Sequence, residues 1–432
     1  MATDDGAELA TEVRRRWWTP TTVHYASLVV GLVAILVIAR DQWFFGDDWA
    51  ILVPRLDDQR MAPHVGHWNL IPAVAFPALR AVFGMHSYLP FLLLALAAHL
   101  AVVHLSWRIM RRVGVQPWIA TALAGVLLVL GGGAENILWA FQFGFMGAIA
   151  LGLAVVLLID QPKPRWAPII VLAVIAPMFS GTAIPLLAAA GVLGWIRRGS
   201  WRTLLLLAPA AAVYLCWYLV VARQAPPSGQ GVQGIGDLGA ALIYGAVMYA
   251  GGLGRAVPFV GLGVIPVLAV VVWVVVVLRR GVRTAAAPAL ALAAGSVVFV
   301  ALTAFSRLAN GLSSAASERY AYLTIVLLVP AIALVLSWVA ARSAIARVVT
   351  LAGIVVVAGW SLGALVIGAG HQAEREAVSR EVILDYLDRV VADPDDPELL
   401  NGMPDPIAAP DLYGSDLLEL YGSGALAPPP GD

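Results

Sequence analysis

Charge is what this sequence most conspicuously lacks. Only 12% of its 432 residues are Asp, Glu, Lys or Arg, about half the roughly 25% usual in soluble domains. Lysine is almost missing, Lys163 standing alone among 27 basic residues. No soluble domain of ordinary surface fits the long middle of the chain. A single cysteine, Cys216, excludes an intramolecular disulfide and leaves redox compartment unreadable. There is no Walker motif and no phosphate-cradling Gly-rich loop after a strand, so Gly131-Gly132-Gly133 reads as a loop hinge. No nucleic-acid partner is expected.

What fills the space is apolar. The chain is 60% hydrophobic with a mean hydropathy of +0.84, and several runs reach or approach the ~18 residues needed to cross a bilayer. Spans fall near 22–40, 88–106, 117–133, 143–159, 166–180, 182–196, 203–222, 259–278, 286–305, 321–340 and 348–368. The fold class is therefore all-α, a polytopic transmembrane helical bundle of about eleven spans. The first run follows Arg14-Arg15-Arg16 and ends without a small-x-small cleavage site, so it reads as a retained signal anchor. Arginine clusters at 108–112, 197–202, 279–283 and 342–347, with Lys163 and Arg165, all fall on the side of the N-terminus if residues 238–256 do not cross. Basic loops stay in the cytoplasm. The expected topology is N-terminus in and C-terminus out, with the glycine-rich 238–256 as a re-entrant or interfacial helix.

Three parts follow from this pattern. Residues 1–19 form a cytoplasmic N-terminus, and 20–370 the transmembrane domain, whose long first outer loop, 41–87, is expected to carry short surface helices. Residues 371–432 form an external tail. Its AEREAVSREVILDYLDRVV has the periodicity of one amphipathic helix, and the acidic, proline-rich remainder is expected to be extended or disordered.

Polar chemistry gathers in the outer loops. FFGDDW at 44–49 places Asp47 and Asp48 directly after the first span. They suit either a hydrated loop end anchored by Trp43 and Trp49 or a functional pair. Neighbouring side chains diverge by about 100° on a helix, so the two need not share one task. Asp48 is the candidate for a divalent cation, Mg or Mn, or for a partnering role. In HVGHWN, His64 and His67 are spaced to share one face of a short helix, beside Trp68. Zinc needs a third and fourth ligand that the sequence does not supply, so the histidines are read as hydrogen-bonding groups of a polar pocket. In GGGAENILWAFQ, Glu135, Trp139 and Gln142 can share a helix face. An acid, an indole and an amide together suit a carbohydrate, and equally an interfacial tryptophan with a polar helix cap. Arg307 and the stretch SERYAY, with Glu318, Arg319 and Tyr320, put arginines where few belong. They can bind phosphate bidentately or close the loop as an Arg–Glu pair.

In this order, FFGDDW, HVGHWN, ENILWAFQ and SERYAY resemble the GT-C superfamily of membrane glycosyltransferases, nearest its members from high-GC bacteria. The resemblance covers residues 20–370 and not the tail. It implies a polyprenyl-phosphate-linked sugar donor and a glycan, lipid or protein acceptor at the outer face of the cytoplasmic membrane. It further implies an inverting mechanism with Asp47 as general base, Glu135 assisting, and Arg319, then Arg307, on the leaving phosphate. The short tail departs from members with large external carbohydrate-binding domains. A transporter or flippase for lipid-linked sugars is the competing class. Transporters place ionisable groups near the midplane, often in repeated halves, and neither feature is visible here.

Overall fold

The computed structural model describes residues 18–225, 234–282 and 285–426. Arg14 to Arg16, most of the Pro/Gly-rich loop after the seventh expected span, Arg283 and the final APPPGD lie outside the described residues. Helix makes up 79% of the structure and there are no strands among the described residues. In chain order the helices are α1 Pro20–Ile38, α2 Asp47–Leu52, α3 Leu70–Phe83, α4 Leu89–Arg112, α5 Pro117–Leu128, α6 Ala134–Leu138, α7 Phe143–Ile159, α8 Trp166–Phe179 and α9 Ala183–Arg198. There follow α10 Ala208–Val220, α11 Leu238–Gly254, α12 Val264–Arg280, α13 Ala287–Arg307, α14 Leu312–Ala315, α15 Glu318–Ala340, α16 Ala344–Ala392, α17 Pro397–Asn401 and α18 Gly414–Gly422.

Every expected span coincides with a helix, but not every helix has full crossing length. Among the described residues seven are long and apolar enough to cross a membrane, or eight if α5 and α6, bent by 49° at the glycines, count as one. The other three, α8, α9 and α10, have 14, 16 and 13 residues. At 1.5 Å per residue these fall short of the ~30 Å hydrocarbon core. Proline begins several helices, including α1 and α5, because its missing N–H would be unpaired there anyway. The bundle turns valines outward, such as Val29, Val30, Val33, Val355 and Val356, as a protein solvated by lipid does. This is a membrane protein.

The two ends of the bundle differ. At one, Arg112 and Arg197 hold the buried Asp160 at 2.8 and 2.7 Å, tying α4, α7 and α9 together. The other end carries the loops expected on the outer side. Tyr244, midway along α11, bonds Ser314, while Arg255 just past its end bonds the Ala316 carbonyl and meets Glu318.

The tail departs from expectation. Its amphipathic segment is no separate helix but the continuation of the last span, giving the 49-residue α16. At about 70 Å, this rod outreaches the bilayer core by more than half its length. The acidic remainder is folded, with α17 and α18 packed back on the first outer loop. The Gly46 N–H donates to the Ala408 carbonyl at 2.6 Å, and Met85 N–H to the Ala425 carbonyl at 2.6 Å. Arg55 binds both carboxylate oxygens of the buried Asp416 at 3.2 and 3.3 Å. Composition suggested disorder because the ordering partners lie more than 300 residues away.

Gly131 lets α16 approach the α5–α6 bend so closely that a Cβ there would run into the Ser361 carbonyl and Ala364. Gly131→Val should lower stability by about 1–3 kcal/mol through overpacking. The midpoint of thermal unfolding in detergent measures this.

Candidate active site

FFGDDW is held on three sides. Phe44 is fully buried, edge-on to Tyr88 at 5.1 Å and Phe91 at 5.2 Å. The Trp43 N–H donates at 2.7 Å to Glu376 on α16, and Gln42 donates to the Ala369 carbonyl. Gly46 has φ +58 and ψ −128, a conformation closed to other residues, and a Cβ there would sit 3.0 Å from the Trp139 ring. This turn starts α2 with the two aspartates in its first turn, where they diverge.

Asp47 faces a cavity of about 360 Å³, lined also by His64, His67, Asn69, Gln142, Ser180, Arg307, Arg319 and Tyr320 among others. Its Oδ1 lies 3.1 Å from His64 Nε2, an ion-pair distance without hydrogen-bond alignment. Asp48 points the other way and is fully buried. Its Oδ2 accepts from the Phe45 N–H at 3.1 Å and the Tyr88 hydroxyl at 3.0 Å, and that hydroxyl accepts from Ala140 N–H at 2.7 Å. Burial pushes its carboxyl well above the usual carboxylate range, against those two hydrogen bonds. Asp48 therefore fastens the loop rather than touching a ligand. The expected cation role also finds no support in the donor set. Among the described residues no three His, Cys, Asp or Glu side chains gather to hold a metal ion, and the residues around Asp48 do not fit one.

His64 and His67 do not share a helix. They close a two-residue hairpin, each N–H bonding the other's carbonyl at 3.0 and 2.9 Å, with Val65 at φ +49 and Gly66 at φ +80. Two positive φ values match the type I′ hairpin turn, an unfavourable conformation for a β-branched valine. Arg307 stabilises the turn by donating to the Val65 carbonyl at 2.9 Å. The hairpin still brings both rings to the cavity, with His67 filling the space that Gly181 leaves between α8 and α9.

The remaining candidates divide. Arg307, Arg319, Tyr320 and Gln142 line the cavity with Asp47, and Gln142 is held by Asn136 at 3.2 Å. Glu135 and Trp139 lie in an adjoining cavity of about 710 Å³. The Arg319–Glu135 contact, 3.1 Å long, links the two. Glu318 pairs with Arg255 and accepts from the Glu135 N–H, so it does not close the loop with Arg319. Trp139 is 6% exposed and donates to the Phe45 carbonyl, so its ring supports the Gly46 turn instead of offering an open face to a sugar. Trp68 stacks on Trp217 at 5.2 Å, within 7° of parallel, and pins the outer loop to α10. Sequence reasoning missed Asn69, Arg255 and Glu376. Asn69 stood inside a quoted motif, and Arg255 was an outer-face arginine like the two it singled out.

The polytopic helical bundle matches the GT-C fold. Among solved structures it is similar to ArnT from Cupriavidus metallidurans, a GT-C glycosyltransferase whose crystal structure holds undecaprenyl phosphate. The two share 14% identity at a TM-score of 0.53, across 94% of this chain and 89% of that one. No family model matches the sequence, and no curated protein does.

Two outcomes test the geometry. Asp48→Asn keeps the shape and an acceptor oxygen for both hydrogen bonds and should cost much less stability than truncation. Asp48→Ala strands the Tyr88 hydroxyl and Phe45 N–H and should destabilise by about 1–3 kcal/mol, as unfolding in detergent would show. Burial, then Arg307, His64 and Arg319, hold the His67 pKa down to about 4 from 6.5. The unfolded chain therefore binds the extra proton first, and stability falls as pH drops from about 6.5 to 4. In His67→Gln that part of the acid-side loss of thermal stability should vanish.

Proposed function

We propose that the protein is a membrane glycosyltransferase that moves a sugar from a polyprenyl-phosphate donor to an acceptor hydroxyl at the outer face of the cytoplasmic membrane. The observation that carries the reading is the convergence of one carboxylate, Asp47, with two arginines, Arg307 and Arg319, on a single cavity at the loop end of the bundle. Those are the groups that sugar transfer from a phosphate requires. ArnT, of the same fold, binds undecaprenyl phosphate, which supports a polyprenyl-phosphate ligand here. The arginine clusters at the opposite end support an outward-facing cavity by the positive-inside rule.

In this mechanism Asp47 takes the proton of the acceptor hydroxyl as its oxygen attacks the anomeric carbon. The new glycosidic bond forms on the face opposite the breaking carbon–oxygen bond to phosphate, with inversion. The electron pair leaves on the phosphate, where Arg319 and Arg307 stabilise the added charge. His64, 3.1 Å from Asp47, orients the base. Neutral His67 and Gln142 remain to hydrogen-bond sugar hydroxyls. Glu135, on the far side of Arg319, aims the guanidinium and does not touch the sugar.

The test is incubation of purified protein with a panel of radiolabelled polyprenyl-phosphate sugars, followed by measurement of sugar transfer or release. Asp47→Asn should lower the rate by about 10²–10⁴, and Arg319→Ala by about 10²–10³. Transfer by Asp47→Asn at the wild-type rate would remove Asp47 as base. Translocation of the lipid without any transfer would replace the enzyme with the flippase.

A further inference from the structure

A second, smaller cavity opens beside the base. It holds about 210 Å³ and is walled by the first outer loop, α3, Phe141 and Asp411 of the folded tail. His64, Asn69 and Phe141 line both this cavity and the one containing Asp47, so the two share a wall, and His64 in that wall lies 3.1 Å from Asp47. Its wall mixes Asp57, Gln59, Arg60, Asn69 and Asp411 with the apolar Ile51, Leu56 and Phe141. Alternating polar and C–H surfaces are what a sugar ring presents. The wall also holds a buried polar atom without a partner. Asp57 is fixed through Oδ2 to Arg80 at 2.7 Å, while its buried Oδ1 accepts nothing among the described residues. A buried carboxylate oxygen left unpaired is costly, and a ligand hydroxyl would satisfy it.

Asp411 has no counterpart in a bundle without this tail. It stands at φ +66, a left-handed conformation that Asp tolerates better than most residues. Arg55 donates to its carbonyl at 2.5 Å, grips Asp416 and lies 4.9 Å over the Tyr413 ring. The tail thus delivers one carboxylate to the rim of the cavity and is anchored there.

We infer that this tail-walled cavity is the acceptor subsite and that it takes a sugar residue, making the acceptor a glycan or glycoside. Its non-reducing hydroxyl would pass between His64 and Asn69 to Asp47, while Asp57, Gln59 and Asp411 hold the other hydroxyls. The inference rests on the glycosyltransferase reading and narrows its acceptor.

Binding of a panel of methyl glycosides and disaccharides to the detergent-solubilised full chain, followed by saturation-transfer NMR, tests it. At least one should bind, and both Asp411→Asn, which keeps the left-handed turn, and Gln59→Ala should weaken it about tenfold. Unchanged affinity in both variants, or no glycoside bound by the wild type, would overturn the subsite. In the transfer assay the same variants should raise the KM for a glycoside acceptor more than the KM for the lipid donor. If no donor in the panel yields released sugar while glycosides still bind at Asp411, the transferase reading fails and the sugar subsite stands.

Discussion

The hydrogen bond from the Trp43 backbone to Glu376 is the contact on which the candidate site depends. A six-residue helix after a membrane span has no means of its own to fix a carboxylate, since a turn and a half of helix is marginal in water. Here it borrows rigidity from α16, which leaves the bundle and continues past the loop. Glu376 is wholly buried and is itself held by Gln372 at 2.8 Å, while Arg375 and Arg380 lie over Phe45 and Trp43. One face of the rod thereby sets the path of residues 42 to 46, and Gly46 converts that path into the start of α2. Asp47 is in the cavity because of bonds made by its neighbours.

The same economy explains the division between the adjacent aspartates. One carboxyl group is kept out of water and used as a fastener between Phe45 and Tyr88, and the other is left at the cavity. Their chemical difference comes from environment alone, since burial lifts the Asp48 carboxyl above the usual carboxylate range. The arginines show a parallel contrast. Arg307 shapes the Val65–Gly66 turn as well as lining the cavity, whereas Arg319 is balanced between the cavity and Glu135.

Much of the fold was legible because hydropathy is a local signal and bilayer spans are written in it. The order of FFGDDW, HVGHWN and SERYAY was legible for the same reason, since topology alone assigns those loops to one side. Which side chains meet was less so. Nothing local distinguishes Asp47 from Asp48, because the distinction is made by Tyr88 and Ala140. Nothing in HVGH announces a hairpin with valine at positive φ, because the Arg307 donor that favours it is 242 residues away. The tail misled most, since acidic, proline-rich composition argues for disorder only when no partner surface exists, and the first outer loop is that surface. Trp139 was open between a carbohydrate-stacking ring and an interfacial anchor, and its spacing could not reveal the Gly46 turn beneath it.

The bond between Gly46 and Ala408 joins points separated by most of the chain. During synthesis at ~5–20 residues per second, the later partner emerges on the order of tens of seconds after the earlier one. Through that interval the first span can already lie in the bilayer, with its acidic turn exposed and unclasped. The carboxylate of Asp47 is therefore put in place by closure of the chain upon itself, and a protein still being inserted has lipid around it before its candidate site is assembled.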